Sequence, residues 1–223
     1  DKGVENSMYN YAVICRDGEG VPVNKKEAAE YFKKSADKGY VKGMFNYANM
    51  CWKGNGIPVN NQEAEFYYQK AIDEGDLNSM YNYASMLSNG EKLIIENQKA
   101  LNLYKTAADK GHADSMYTYG VHLCIKSLCQ NINKDHYDEN FELGIKYLKE
   151  AANKGDTRII EKYANFAFDF LSREEIEELL CYVKNRSDEG NERFKELYTS
   201  LESKRPNGNG KMWRFRIYVP TAQ

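Results

Sequence analysis

Apolar residues recur every three or four positions along most of this chain, the spacing that lines one face of an α-helix. Met8, Tyr11, Ala12 and Cys15 follow the i, i+3, i+4, i+7 order and predict a first helix with that face on a core. Ala28, Tyr31, Phe32, Ser35 and Ala36 predict a second. Between them the run Gly18-Glu-Gly-Val-Pro-Val-Asn24 breaks the period and predicts a turn, its glycines free to take positive φ. Asn24 followed by Glu27 has the form of a capping box, in which the Asn side chain accepts from amides left open in the first turn of a helix. The cycle then returns. Gly54 to Asn60 repeats the turn, Asn60 and Glu63 repeat the cap, and Ala64, Tyr67, Tyr68, Ala71 and Ile72 repeat the second helix.

The interval is 36 residues: Asp1, Asp37, Asp73 and Asp109 each open a similar phrase, followed at fixed offsets by Met8, Met44, Met80 and Met116 and by Tyr11, Tyr47, Tyr83 and Tyr119. A fixed period of this length marks stacked helix pairs that bury a core between neighbours. Unit three keeps Gly90 but has Lys92 and Leu93-Ile-Ile95 in its turn, and Ala100, Leu103, Tyr104, Ala107 and Ala108 still mark its second helix. Unit four is eight residues longer, with the insertion around residues 126–139, where a longer surface loop is expected. Its second helix is expected to be capped by Asn140 and to pack through Gly144, Tyr147, Leu148, Ala151 and Ala152.

A degenerate fifth copy keeps Ile160, Tyr163 and Ala164, and Ser172 to Glu175 reads as a capping box for a helix with Ile176, Leu179, Leu180 and Val183 on its apolar face. A closing helix with Phe194, Leu197, Tyr198 and Leu201 follows. The expected organisation is therefore a repeat solenoid over 1–203, with units 1–36, 37–72, 73–108 and 109–152 and a degenerate copy and cap over 153–203. Residues 204–223 form a basic linker and tail. Within it Trp213, Phe215, Ile217 and Val219 alternate with Arg214, Arg216 and Tyr218, the period of an extended segment.

Composition changes the picture little. Apolar residues are 42% and charged ones 29%, with net charge -2, which describes a folded chain without a phosphate-binding surface, so no nucleic-acid partner is expected. No apolar run reaches membrane-spanning length, so no membrane partner is expected either. Residues 202–223 carry Lys204, Arg205, Lys211, Arg214 and Arg216 against Glu202 and are net positive, leaving a more acidic body against which residues 211–220 are expected to dock, as self-association or within one molecule. A following domain or an artificial extension are the other readings of that tail. Five cysteines, an odd number, with Cys15 and Cys51 at equivalent offsets, read as small buried hydrophobes in a reducing compartment, hence the cytoplasm. Asp1 is no initiator Met and falls on a unit boundary, so an excerpt of a longer chain is expected.

These residues together resemble the Sel-one-like repeat, a relative of the tetratricopeptide repeat. Ala12, Gly18, Gly20, Val21, Asn24, Ala28, Tyr31, Ala36 and Gly39 carry the match in unit one, and it extends over roughly residues 1–170. Tyr11-Ala12 departs from the more usual Leu-Gly, which only Gly120 restores. The resemblance implies an all-α, right-handed superhelical solenoid of antiparallel helix pairs, serving as a scaffold or adaptor that binds other proteins in its concave groove. Some bacterial relatives suggest a second reading, a small-molecule-binding or hydrolase-like accessory acting near the unit-four loop.

On each first helix the stripe opposite the core is expected to line that groove. Asn10, Asn46 and Asn82 would place one amide per unit along it, each able to meet the backbone of an extended peptide. Asp17, Lys42, Asn49, Lys53, Asn89 and Thr118 share the stripe, and the same positions read equally well as solvated polar surface. Trp52, without an aromatic counterpart in other units, is expected to be exposed and to make contact with a partner. Tyr9, Phe45, Tyr81 and Tyr117, at the flank, are expected to pack against neighbouring units. His122, Cys124, Cys129 and His136 match no zinc module, and none of the three histidines has a nucleophile partner in a recognisable arrangement, so neither metal nor cofactor nor catalysis is expected.

Overall fold

The computed structural model describes residues 3–88, 97–130, 138–170 and 173–204, and in them eleven α-helices and no strand. Helix α1 (Val4–Asp17) pairs with α2 (Lys25–Asp37), α3 (Val41–Lys53) with α4 (Asn61–Asp73), α5 (Leu77–Leu87) with α6 (Gln98–Asp109), and α7 (Ala113–Gln130) with α8 (Glu139–Asn153). Helices α9 (Thr157–Phe170), α10 (Arg173–Asp188) and α11 (Glu192–Lys204) pack on one another at the far end. Each second helix also meets the first helix of the next unit, so the pairs stack into a solenoid.

The turns form for the reasons their residues dictate. Asn24 Oδ1 accepts the Glu27 amide at 3.1 Å while its Nδ2 donates to the Glu27 carboxylate, and Asn60 and Glu63 do the same. Gly18 and Gly54 end α1 and α3 at φ 77° and 66°, donating their amides to Ile14 and Met50 carbonyls. Any Cβ there would fall in the left-handed region and meet the Val23 or Val59 side chain at 2.8 Å.

Close approach of the paired helices follows from small residues at their crossings. Ala12, Ala28, Ala48, Ala64, Ala84 and Ala100 have no exposed surface. At the corresponding positions of α7 and α8 stand Gly120 and Gly144, and a Cβ on Gly144 would lie 2.5 Å from Cys124 Sγ and 2.7 Å from the Gly120 carbonyl. Aromatic residues fill the space beside them, with Phe32, Tyr68 and Tyr83 fully buried. Three apolar clusters result, joined through Leu87, Leu103 and Tyr117, so the core is one seam along the stack.

Four local expectations are corrected. Tyr11 is 40% exposed and Met8 half-buried, whereas Tyr47 and Met44 are buried; Tyr47 lies under the Lys33 ammonium of the preceding unit, and no described helix covers the matching side of α1. The cap of α8 is Asp138, which accepts from the amides of both Asn140 and Phe141, and Asn140 itself is exposed in the first turn. Part of the unit-four insertion is helix, because α7 continues to Gln130 with Ser127 and Leu128 buried. Trp52 is half-buried against the first apolar cluster. The altered turn of unit three, the Ser172 capping box with Glu174 and Glu175, and residues 205–223 with the tail lie outside the described residues or side chains.

Candidate protein-docking face

The first helices of neighbouring units touch, α3 against α5 and α7 against α9, and side-chain bonds link the stripes opposite their core faces from unit to unit. Its amides are tied across helix boundaries. Asn46 Oδ1 accepts from Arg16 Nη1 at 3.1 Å, joining α1 to α3, and its Nδ2 donates to the Lys42 carbonyl at 2.8 Å. Asn49 Oδ1 accepts twice, from Tyr68 OH at 2.6 Å and from Asn82 Nδ2 at 2.8 Å, joining α3 to α4 and α5. The other amide atoms of Asn49 and Asn82 have no hydrogen-bond partner among the described residues. Asn10 is exposed and has none.

Charge on this side is partly paired. Arg16 grips Asp17 through two contacts of 2.7 Å, which hold the Asp17 carboxyl below the usual carboxylate range. Asp114 receives Arg158 at 2.8 Å and Lys162 at 3.9 Å, both from α9. Lys42 and Lys53 are exposed, with no carboxylate at ion-pairing distance among the described residues; the Lys53 ammonium lies 5.4 Å from the Trp52 ring. Thr118 is half-buried, and Asn89 lies outside the described residues. The sequence reading missed Arg16, Arg158 and Lys162. Arg158 and Lys162 were open to it, since they occupy in the fifth copy the offsets of Lys42 and Asn46.

The flanking aromatics pack inward and between units. Tyr9 meets Phe32 and Tyr40 with ring centroids 5.6 and 5.3 Å apart, and Tyr81 meets Tyr104 and His112 at 5.5 and 5.4 Å. Phe45 and Tyr117 sit against the apolar clusters. His112 Nδ1 accepts the Ser115 amide at 3.2 Å in the first turn of α7, and Nε2 faces Asn78 Oδ1 at 3.3 Å.

Of the four His and Cys residues around the unit-four insertion, His122, Cys124 and Cys129 lie among the described residues. His122 and Cys124 are buried, Cys124 Sγ donates to the Phe141 carbonyl at 3.7 Å, and burial pushes its thiol up to about 12. No group of three or more His, Cys, Asp or Glu able to hold a metal occurs there, and His136 lies outside. A cleft of about 200 Å³ between α8, α9 and α10, lined by Lys149, Tyr163, Glu178 and Tyr182, is smaller than typical ligand sites of ~300–1,000 Å³. No described helix is long and apolar enough to cross a membrane.

Helix pairs stacked through small-residue crossings, with one polar side built from the first helices, define a tetratricopeptide-like α/α repeat protein. A family model for the Sel1 repeat matches residues 6–40, 41–76, 77–112 and 135–156, more than half of the chain, which therefore belongs to the Sel1 repeat family. Proteins of this family are generally non-catalytic scaffolds for protein interaction. Among solved structures the chain is similar to a protective antigen of uropathogenic Escherichia coli strains displaying an SLR fold, with TM-score 0.63 and 21% identity. That match covers 86% of this chain and 40% of the antigen, so the chain spans less than half of that relative. It is also similar to a Sel1 repeat protein from Oxalobacter formigenes (TM-score 0.62, 18% identity, 90% of this chain and 88% of that one). The immunity protein Pa5087 from Pseudomonas aeruginosa is a third (TM-score 0.55, 19% identity, 92% and 82%). At these identities the similarity is one of fold. No curated protein matches the chain.

Proposed function

We propose that this protein is a non-catalytic scaffold that receives an extended segment of another protein across its stacked first helices. The observation that carries the reading is the amide network: Asn46, Asn49 and Asn82 are held by bonds between units, with donor and acceptor atoms left over beside the exposed Asn10. A face already ordered by its own hydrogen bonds loses little side-chain freedom on binding, and its unused amide atoms match the peptide groups of an extended chain.

Selection of binders from a random 15-residue peptide library, followed by titration against variants, tests the reading. Selected peptides should lose affinity for Asn10→Arg and Trp52→Ala and keep it for Glu30→Arg, an exposed substitution on α2. Helical circular dichroism should stay unchanged in all three. Peptides that bind every variant equally would place the docking surface elsewhere.

A further inference from the structure

Among the described residues of the first-helix stripes and their partners, Lys42, Lys53, Arg16, Arg158 and Lys162 stand beside Asp17 and Asp114, although the chain as a whole has net charge -2. Among the described residues Asp17 is paired with Arg16 and Asp114 with Arg158 and Lys162, Arg158 also reaching Asp156 at 3.2 Å. Lys42 and Lys53, in contrast, stand near the two ends of α3 without a carboxylate among the described residues, and Asn46 and Asn49 lie between them on the same helix. Beside Lys53 the half-buried Trp52 ring gives an apolar flank.

From this arrangement we infer that the segment received by the first helices is acidic, with Lys42 and Lys53 as its two charge anchors. The inference rests on the scaffold reading and adds the chemistry of the partner. An exposed lysine alone is ordinary. Here the pair brackets pre-ordered amides, and among the described residues no carboxylate competes for the two ammonium groups, so carboxylates arriving from outside can pair with both. The eleven steps from Lys42 to Lys53 correspond to about 16 Å of helix rise. An extended chain covers that in about five residues at ~3.3 Å each, and only side chains an even number of positions apart share a face, so acidic side chains four or six positions apart reach both anchors. The same charge disfavours the chain's own basic tail on this side: Lys211, Arg214 and Arg216 would face like charge at α3.

Three fluorescein-labelled peptides decide the matter by fluorescence anisotropy on the full chain. One is a 12-residue Ser/Gly/Leu peptide with Glu residues six positions apart, the second has Gln in their place, and the third is residues 211–220. The Glu peptide should bind about tenfold more tightly than the Gln peptide, as two partly exposed charge pairs allow, and less tightly as salt rises. The double variant Lys42→Glu with Lys53→Glu should abolish that preference, and Lys42→Gln with Lys53→Gln should remove most of it, both at unchanged helical circular dichroism. Equal binding of Glu and Gln peptides, or a preference that survives in both double variants, overturns the acidic partner while leaving a scaffold for neutral segments. Tighter binding of peptide 211–220 overturns it in favour of tail docking, and no binding of the Glu peptide overturns it outright.

Discussion

Asn49 shows how one side chain at a polar position takes on two tasks. Its Oδ1 is the acceptor for the hydroxyl of Tyr68, whose side chain is fully buried, and for an amide proton of Asn82. Removing it strands a buried donor, which costs about 1–3 kcal/mol. Asn49→Ala should therefore destabilise the chain by that amount in urea titration, and the loss should shrink when Tyr68→Phe is already present; an unchanged loss would show that the bond contributes nothing. Gly144 is the steric counterpart. A methyl group at that position meets Cys124 Sγ and the Gly120 carbonyl, so Gly144→Ala should cost about 1–3 kcal/mol in thermal unfolding, although alanine favours helix by about 1 kcal/mol. A gain in stability would mean that α7 and α8 separate freely.

At the scale of elements, α7 depends on a residue that titrates. His112 Nδ1 accepts the Ser115 amide and the Ser115 hydroxyl lies 2.9 Å away, so the ring serves the first turn only while neutral. Burial holds its pKa below the ordinary histidine value, against the pull of Asp114 and Asp76 and with a small push from Arg158. A folded pKa below the unfolded value of about 6.5 means that the unfolded chain takes up the proton first. The contribution of His112 is thus complete above about pH 6.5 and is lost as pH falls through the folded value. His112→Asn keeps a capping acceptor and removes the titration, so the fall in melting temperature between pH 7 and pH 5 should be smaller in the variant. His122, also shifted down by burial, titrates in both proteins and cancels in the comparison. Parallel pH profiles would sink the assignment.

For the whole molecule, stacking makes stability a sum of units and of the interfaces between neighbours. Phe32, fully buried between units one and two, is a fair probe. Phe32→Ala should remove about 3–5 kcal/mol, and hydrogen exchange should accelerate in α1 to α4 while α9 to α11 keep their protection. Uniform acceleration along the chain would show that the solenoid unfolds as a single body.

The 36-residue period, the helix pairs, the caps at Asn24 and Asn60 and the core residues from Ala12 to Leu201 were legible from residue order. Each follows from interactions within a few positions or from a period that repetition amplifies. The face opposite the core was legible as a stripe, but the condition of its side chains was not. Whether an asparagine is free, or bonded to an arginine thirty residues earlier or a tyrosine nineteen residues later, depends on how neighbouring units are rotated against each other. That rotation is set by contacts such as Gly43 on Ser35, where a Cβ would come within 2.7 Å of the hydroxyl. Tertiary stacking likewise paired Asp114 with Arg158 and left Lys42 and Lys53 without an anion among the described residues, because ion pairing between units is a matter of distance across the stack rather than of spacing along the chain.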